Sequence, residues 1–354
     1  MKDDYLWDGS GEPDPEIQKL EKTLSKFGHQ GQAPEFPEIA VTRRPRNLQW
    51  GFGLRWPQAL AAAAALILLI VALGILRWPQ QPGTNSGPGW EVERVAGTPQ
   101  VESSATGKAG ANSRLGLGQT LVTDGHSQAN ITVAEIGTVN VEPNTRLRLV
   151  DGGAGRNRLA LERGTIHAYI WAAPGQFTVD TPSAIAVDLG CRYTLQVDDS
   201  GAGLLRTTLG WVGFKLNNRE AFIPAGAVCA TRPRIGPGTP YFDDAPKSFC
   251  EALSRFDFAA GTPEERNAEL DRILAEARKR DALTVWHLLT RVDDAQRGRV
   301  YDRLATLVPP PSGVTREGIL RLDQKMLDAW WNQLDLGDVF LWRTWERSWS
   351  PNKS

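Results

Sequence analysis

The chain has 354 residues, with 40 basic and 41 acidic side chains and a net charge of −1. That balance argues against a nucleic-acid binder, for which a basic face is expected, and the composition agrees with a folded protein. The 4 histidines, His29, His126, His167 and His287, are scattered over different segments. None has a second ligand type at metal spacing, which argues against a zinc site.

Residues 1–57 read as an acidic arm. Asp14-Pro15-Glu16 signals a helix start, with an acidic N-cap followed by proline at the first helical position. Ile17, Leu20, Leu24 and Phe27 follow at spacings that place them on one helix face, and Gly28 can end the helix. A helix of about fourteen residues is marginal in water unless it packs on something. Those four side chains are therefore the candidate partner-binding face, in a helix-in-groove mode. The plainer alternative is a disordered tail with a nascent helix. Asp3, Asp4, Asp8, Glu12, Asp14, Glu16, Glu21, Glu35 and Glu38 make the arm acidic, which suits a basic partner, such as a protein that itself binds DNA.

Residues 58–78 are expected to cross a membrane. Ala59 to Leu76, ALAAAAALILLIVALGIL, carries no charge, amide or hydroxyl. As a helix it is about 27 Å long, close to the ~30 Å hydrocarbon core of a bilayer. Trp56 and Trp78 bracket it at the positions of membrane-interface aromatics, and Pro57 and Pro79 mark its ends. Arg43, Arg44, Arg46 and Arg55 precede the span and only Arg77 closely follows it. The positive-inside rule therefore puts the N-terminus in the cytoplasm and the bulk of the chain outside.

Residues 79–89, rich in Gly, Pro and Ser, read as a flexible linker. Residues 90–231 then become short β-patterned segments separated by Gly and Asn/Asp turns. Ile131–Val133, Thr138–Val141, Arg146–Leu149 and Arg158–Leu161 alternate apolar with polar residues, as half-buried strands do. Further strands are expected over Thr165–Trp171, Gln176–Asp180, Ile185–Leu189, Tyr193–Val197, Leu204–Thr208, Trp211–Lys215 and Glu220–Ile223. Such a series implies an all-β sandwich, barrel or solenoid-like stack.

Three runs in this region carry a resemblance: Leu159-Ala-Leu-Glu-Arg-Gly-Thr-Ile-His-Ala-Tyr-Ile, Gln176-Phe-Thr-Val-Asp-Thr-Pro, and Ala186-Val-Asp-Leu-Gly-Cys-Arg-Tyr-Thr-Leu-Gln-Val. They resemble the core of the FecR domain over roughly residues 118–228, with Gly190-Cys191 standing where that family usually has Gly-Thr. The resemblance implies a single-span regulator. Its cytoplasmic arm would bind an extracytoplasmic-function sigma factor as an anti-sigma factor, and its periplasmic part would receive a signal from a protein or envelope ligand. The arm here is shorter than the family's usual anti-sigma segment.

Cys191, Cys229 and Cys250 all follow the span. An oxidising compartment permits one disulfide. Cys191 and Cys229, both in β-patterned segments, are the favoured pair, with three buried free thiols as the alternative. Residues 232–261 read as a loop, and residues 262–354 as an all-α domain, a small bundle or a HEAT-like stack. Its helices are expected from Thr262, over Ala282–Val292, over Ala295–Leu307 and over Arg316–Leu334. Trp342, Trp345 and Trp349 recur at helical spacing near the end, as a last packing helix or as an exposed aromatic face.

No phosphate-binding loop and no nucleophile elbow occurs. Asp198-Asp199, Asp243-Asp244 and Asp293-Asp294 sit at expected turns or helix starts, where aspartate serves as a cap. The expectation is a multi-domain, non-enzymatic transmembrane regulator with no cofactor and no metal. The rival is an envelope scaffold or binding protein that the span merely anchors.

Overall fold

The computed structural model describes residues 89–102, 114–153 and 155–337, all within one compact unit, Gln80–Ser354. Seventeen strands occur among them. The first seven are β1 (Trp90–Ala96), β2 (Gln100–Glu102), β3 (Arg114–Leu115), β4 (Thr120–Val122), β5 (Gln128–Val133), β6 (Gly137–Val141) and β7 (Arg146–Gly153). The next six are β8 (Arg156–Ile170), β9 (Phe177–Asp180), β10 (Ile185–Asp188), β11 (Cys191–Val197), β12 (Gly203–Leu209) and β13 (Trp211–Leu216). The last four are β14 (Arg219–Pro224), β15 (Ala227–Arg232), β16 (Gly236–Pro237) and β17 (Tyr241–Phe242).

They form two sheets that share one strand. Sheet one runs β3-β1-β5-β6-β8-β11-β12-β15, with β16 and β17 on the far side of β15. Sheet two runs β2-β4-β7-β8-β9-β10-β13-β14. Every pairing is antiparallel except β8 with β9. The N-terminal part of β8 belongs to sheet two and its C-terminal part to sheet one, so β8 is the corner of a sandwich.

Two separate strands were expected over this stretch, on either side of Gly164. The chain bends there instead of ending. Gly164 has φ +98°, in the left-handed region that glycine enters freely, and a Cβ on it would run into Thr145. The Thr145 hydroxyl accepts a hydrogen bond from the Thr165 amide at 3.0 Å, which closes the corner.

Register explains the core. Val92, Ile131, Val139, Ala168 and Tyr193 lie opposite one another across sheet one and are all buried. Leu149, Leu159, Val179, Ala186, Phe214 and Ala221 form the matching row of sheet two. Alternate residues point to opposite faces, and the two rows meet in one hydrophobic core. Of the β architectures left open by the sequence, this is the sandwich.

The helices are α1 (Lys247–Phe258), α2 (Pro263–Glu276), α3 (Ala282–Leu288), α4 (Asp294–Leu307), α5 (Arg316–Leu320) and α6 (Gln324–Gln333). Thr262 and Glu265 make the capping box expected at the start of α2. The helix α1 occupies the stretch read as a loop. Phe249, Ala252, Leu253 and Phe256 give it a buried stripe at helical period. The single helix expected over Arg316–Leu334 is two, because Leu322 turns the chain at φ +57° and Asp323 caps a new helix by accepting from the Met326 amide.

The helices do not stand apart as a bundle or stack. They share the core of the sandwich through the outward side chains of β14. The Phe222 ring meets Trp331 edge-on at 4.9 Å, and the Phe222 amide donates to His287 Nε2 at 3.0 Å. Among the described residues, no helix is long and apolar enough to cross a membrane. The span expected over residues 58–78 lies outside them.

Candidate partner interface

The outer face of sheet one is built from the residues that alternate with the core row. Thr138, Tyr169, Arg192 and Leu209 are register partners on β6, β8, β11 and β12. Polar Thr138 is unremarkable at this place, but Tyr169 and Leu209 are 39% and 56% exposed, and Trp171, two residues beyond Tyr169, is 56% exposed. The Tyr169 and Trp171 rings meet edge to face at 5.2 Å. The Arg192 guanidinium lies over the Tyr169 ring, 4.5 Å from its centroid. The pairing pre-orders three long side chains and leaves their outer surfaces in water, an arrangement common in the anchoring centres of protein interfaces.

The neighbouring row is polar and ordered. His167 lies 2.9 Å from the Thr194 hydroxyl and 3.2 Å from a Glu142 oxygen, and Glu142 also accepts from the Gln128 amide at 2.8 Å. The aromatic group thus sits on a rigid sheet with a hydrogen-bonded rim, the composition of a specific contact surface.

At the start of β11, next to Arg192 in the chain, Cys191 meets the buried Asp188. Its carboxylate accepts from the Gly190 amide at 2.7 Å and from the Cys191 thiol. Burial outweighs these bonds and pushes the Asp188 pKa up to about 7. Burial, with the nearby Asp188 charge, also raises the Cys191 thiol far above its ordinary value. Cys191 is therefore an unreactive structural thiol.

The favoured Cys191–Cys229 disulfide is absent, and all three cysteines are free. The register places Leu195 opposite Leu205 and Leu205 opposite Cys229. The two cysteines are thus two strands and four residues apart, roughly 16 Å at ordinary strand spacing, whereas a disulfide needs Cα atoms within about 7 Å. The Cys229 thiol donates instead to the Gly238 carbonyl at 3.2 Å.

The remaining residues singled out by sequence divide cleanly. Ile17, Leu20, Leu24, Phe27, Trp56, Trp78, Trp342, Trp345 and Trp349 lie outside the described residues. Asp198 is a turn residue, accepting from the amides of Ser200 and Ala202. Asp293 caps α4, and Asp244 forms ion pairs with Arg278 and Arg280. Among the described residues, no group of three His, Cys, Asp or Glu side chains is placed to hold a metal ion. Period-two alternation marks Tyr169 and Trp171 as outward-facing. It does not show that Arg192 and Leu209, on strands further along the chain, complete the same patch.

Residues 119–209 match the family model described as FecR protein. The matched segment runs from the edge of β4 to the end of β12 and contains Tyr169, Trp171, Arg192 and Leu209. It stops before β13 and β14, which the motif resemblance had included. No curated protein matches the chain. Two crystal structures of a candidate anti-sigma factor from Parabacteroides distasonis resemble part of it. One, at 1.65 Å resolution, has 13% identity and a TM-score of 0.32, covering 38% of this chain and 64% of that one. The other, at 2.50 Å, has 14% identity and a TM-score of 0.31, covering 38% and 62%. The similarity thus spans less than two thirds of either protein.

Proposed function

We propose that this protein is a transmembrane signalling regulator of the FecR type, and the observation that carries the reading is the FecR family match over residues 119–209. In this reading the span over residues 58–78 holds the chain in the bacterial inner membrane with its N-terminus in the cytoplasm. The sandwich lies in the periplasm and meets a protein partner through Tyr169, Trp171, Arg192 and Leu209. The arm holds or releases an extracytoplasmic-function sigma factor through Ile17, Leu20, Leu24 and Phe27. The mechanism is binding, and no catalytic residue or cofactor takes part. The exposed aromatic–arginine group supports the outer contact, because it lies within the matched segment and is ordered in advance of any partner.

The test is capture of the sigma factors of the source bacterium by residues 1–55. One sigma factor should bind selectively, and the double variant Leu20→Asp/Leu24→Asp should release it. If an intact arm retains none of them, the anti-sigma reading fails and an anchored scaffold takes its place. In a reporter strain, Trp171→Ala should blunt the response to the outer signal while the arm still binds its sigma factor.

A further inference from the structure

Three crossings between the sheets run side by side at one corner of the sandwich. Residues 171–176 carry the chain from β8 to β9, residues 189–190 from β10 to β11, and Gly210 from β12 to β13. The Gly175 amide donates to the Asp188 carbonyl at 2.8 Å, and the Leu189 amide to the Trp211 carbonyl at 3.2 Å. Gly210 packs so closely on the second crossing that a Cβ there would run into the Gly190 carbonyl. At the sheet-one ends of these crossings stand Trp171, Arg192 and Leu209, exposed side chains of the candidate interface.

A carboxyl sits inside this corner. Asp188 ends β10, is 1% exposed, and accepts from the Gly190 amide at 2.7 Å and from the Cys191 thiol. From β11 it faces that thiol and the Tyr193 phenol, whose buried hydroxyl has no partner among the described residues. Its register partner on β13 is Val212, and the β8–β9 crossing meets it through the Gly175 amide. Arg192, the next residue after Cys191, lies on the outer face over the Tyr169 ring. Among the described residues no basic side chain pairs with Asp188, and the titratable groups that face one another here, Asp188, Cys191 and Tyr193, are all acids. The corner is therefore neutral only while Asp188 holds its proton, and an ionised carboxylate there has no countercharge. Burial accordingly lifts its pKa from 3.8 to about 7.

We propose that Asp188 is a proton sensor for the outer contact. Its protonated carboxyl locks the three crossings together, and its ionisation lets them open and unseats Trp171, Arg192 and Leu209. This regulation rests on those side chains forming the outer contact proposed above; the proton response of the corner itself does not. An opened corner hydrates the carboxylate and returns it to an ordinary carboxylate pKa. Opening therefore becomes easier as pH rises between 3.8 and about 7, by up to about tenfold per pH unit, and levels off above. Acid medium tightens the patch and neutral medium loosens it.

The experiment is hydrogen exchange on the full chain in detergent, read at the Gly175 and Leu189 amides and corrected for the intrinsic pH dependence of exchange. Between about pH 5 and about pH 7 their protection should fall by at least about tenfold. The Thr165 amide, which closes the corner at Gly164, should keep its protection and serves as the internal reference. In Asp188→Asn the fall at Gly175 and Leu189 should vanish. An equal fall at all three amides, a fall that survives in Asp188→Asn, or no fall at all would overturn the sensor. The wild-type comparison decides the matter even where the variant does not fold, and whether or not the arm captures a sigma factor. In the reporter strain, the response to the outer signal should be stronger in mildly acid than in neutral medium, and Asp188→Asn should abolish the difference. A corner that loosens with pH beneath a reporter indifferent to pH would keep the proton response and overturn its role in the outer contact.

Discussion

Replacing Trp331 by alanine tests whether the helices and the sandwich are one structure. The Trp331 side chain is fully buried. Its ring meets Phe222 of β14 at 4.9 Å, Trp286 of α3 at 4.9 Å and His287 at 5.7 Å, and its Nε1 donates to the Gly337 carbonyl at 2.9 Å. Deleting a buried tryptophan costs about 3–5 kcal/mol through lost transfer energy and the cavity left behind. Three edge-on ring contacts place this site at the upper end, near ~5 kcal/mol, because each such pair adds roughly 0.5–1.5 kcal/mol without full additivity. For a unit of this size the melting temperature should fall by about 10–15 °C. The assay is urea and thermal unfolding of residues 80–354, followed by the helix and strand bands of circular dichroism. Both bands should move together in a single transition. Trp331→Phe keeps a ring and loses the hydrogen bond, so it should cost far less. If the helix band shifted while the strand band stayed in place, the shared core would be refuted and the two parts would be separate domains.

Gly164→Ala should destabilise the chain by roughly 3 kcal/mol in chemical denaturation, because the side chain meets Thr145 and the φ of +98° is strained for alanine. Asp188 has its pKa raised from 3.8 to about 7. The folded state therefore favours its protonated form, and this contribution is fully present below pH 3.8 and lost as pH rises towards 7. Asp188→Asn should flatten that fall in a pH series of unfolding free energies; an unchanged slope would assign it to other groups. His287 carries the opposite sign, lowered from 6.5 to about 3 by burial. Stability should fall as pH drops below 6.5, since protonation of Nε2 removes the acceptor of the Phe222 amide; His287→Gln should lose that dependence. Mass spectrometry of the folded chain after air exposure should show no Cys191–Cys229 bond, and both thiols should resist alkylation until denaturant is added. At the candidate interface, Trp171→Ala should leave the melting temperature within about 1 °C and weaken the outer partner by roughly thirtyfold, the loss expected of a ~2 kcal/mol anchor.

The strands were legible because alternation is a local property: a half-buried strand shows its two faces in six or seven residues. The helix α1 was equally legible in principle. Phe249, Ala252, Leu253 and Phe256 carry the period, but the Pro/Gly-rich run TRPRIGPGTPY precedes them and no capping signal as strong as that of Thr262 opens the helix. The break at Leu322 was not legible, since nothing about leucine announces a positive φ; it follows from how α5 and α6 pack. The partner patch is legible only in part for the same reason. Tyr169 meets Arg192 through a strand register that joins distant parts of the chain. Gly164 interrupts the alternation between Arg158–Leu161 and Thr165–Trp171, and it is this glycine that lets one strand serve two sheets.

That shared strand also sets a timetable for folding. When Ile170 leaves the ribosome, β6 and β7 are already made and can pair with one side of β8. The other side of β8 needs β9 and β11, and β11 ends at Val197. At about 5–20 residues per second, the longest of the described strands waits roughly one to five seconds with an unpaired edge, the feature by which nascent chains pair wrongly with one another. A ribosome pause between codons 170 and 197 would lengthen that wait and raise aggregation, while the same pause after codon 197 would be harmless to this strand.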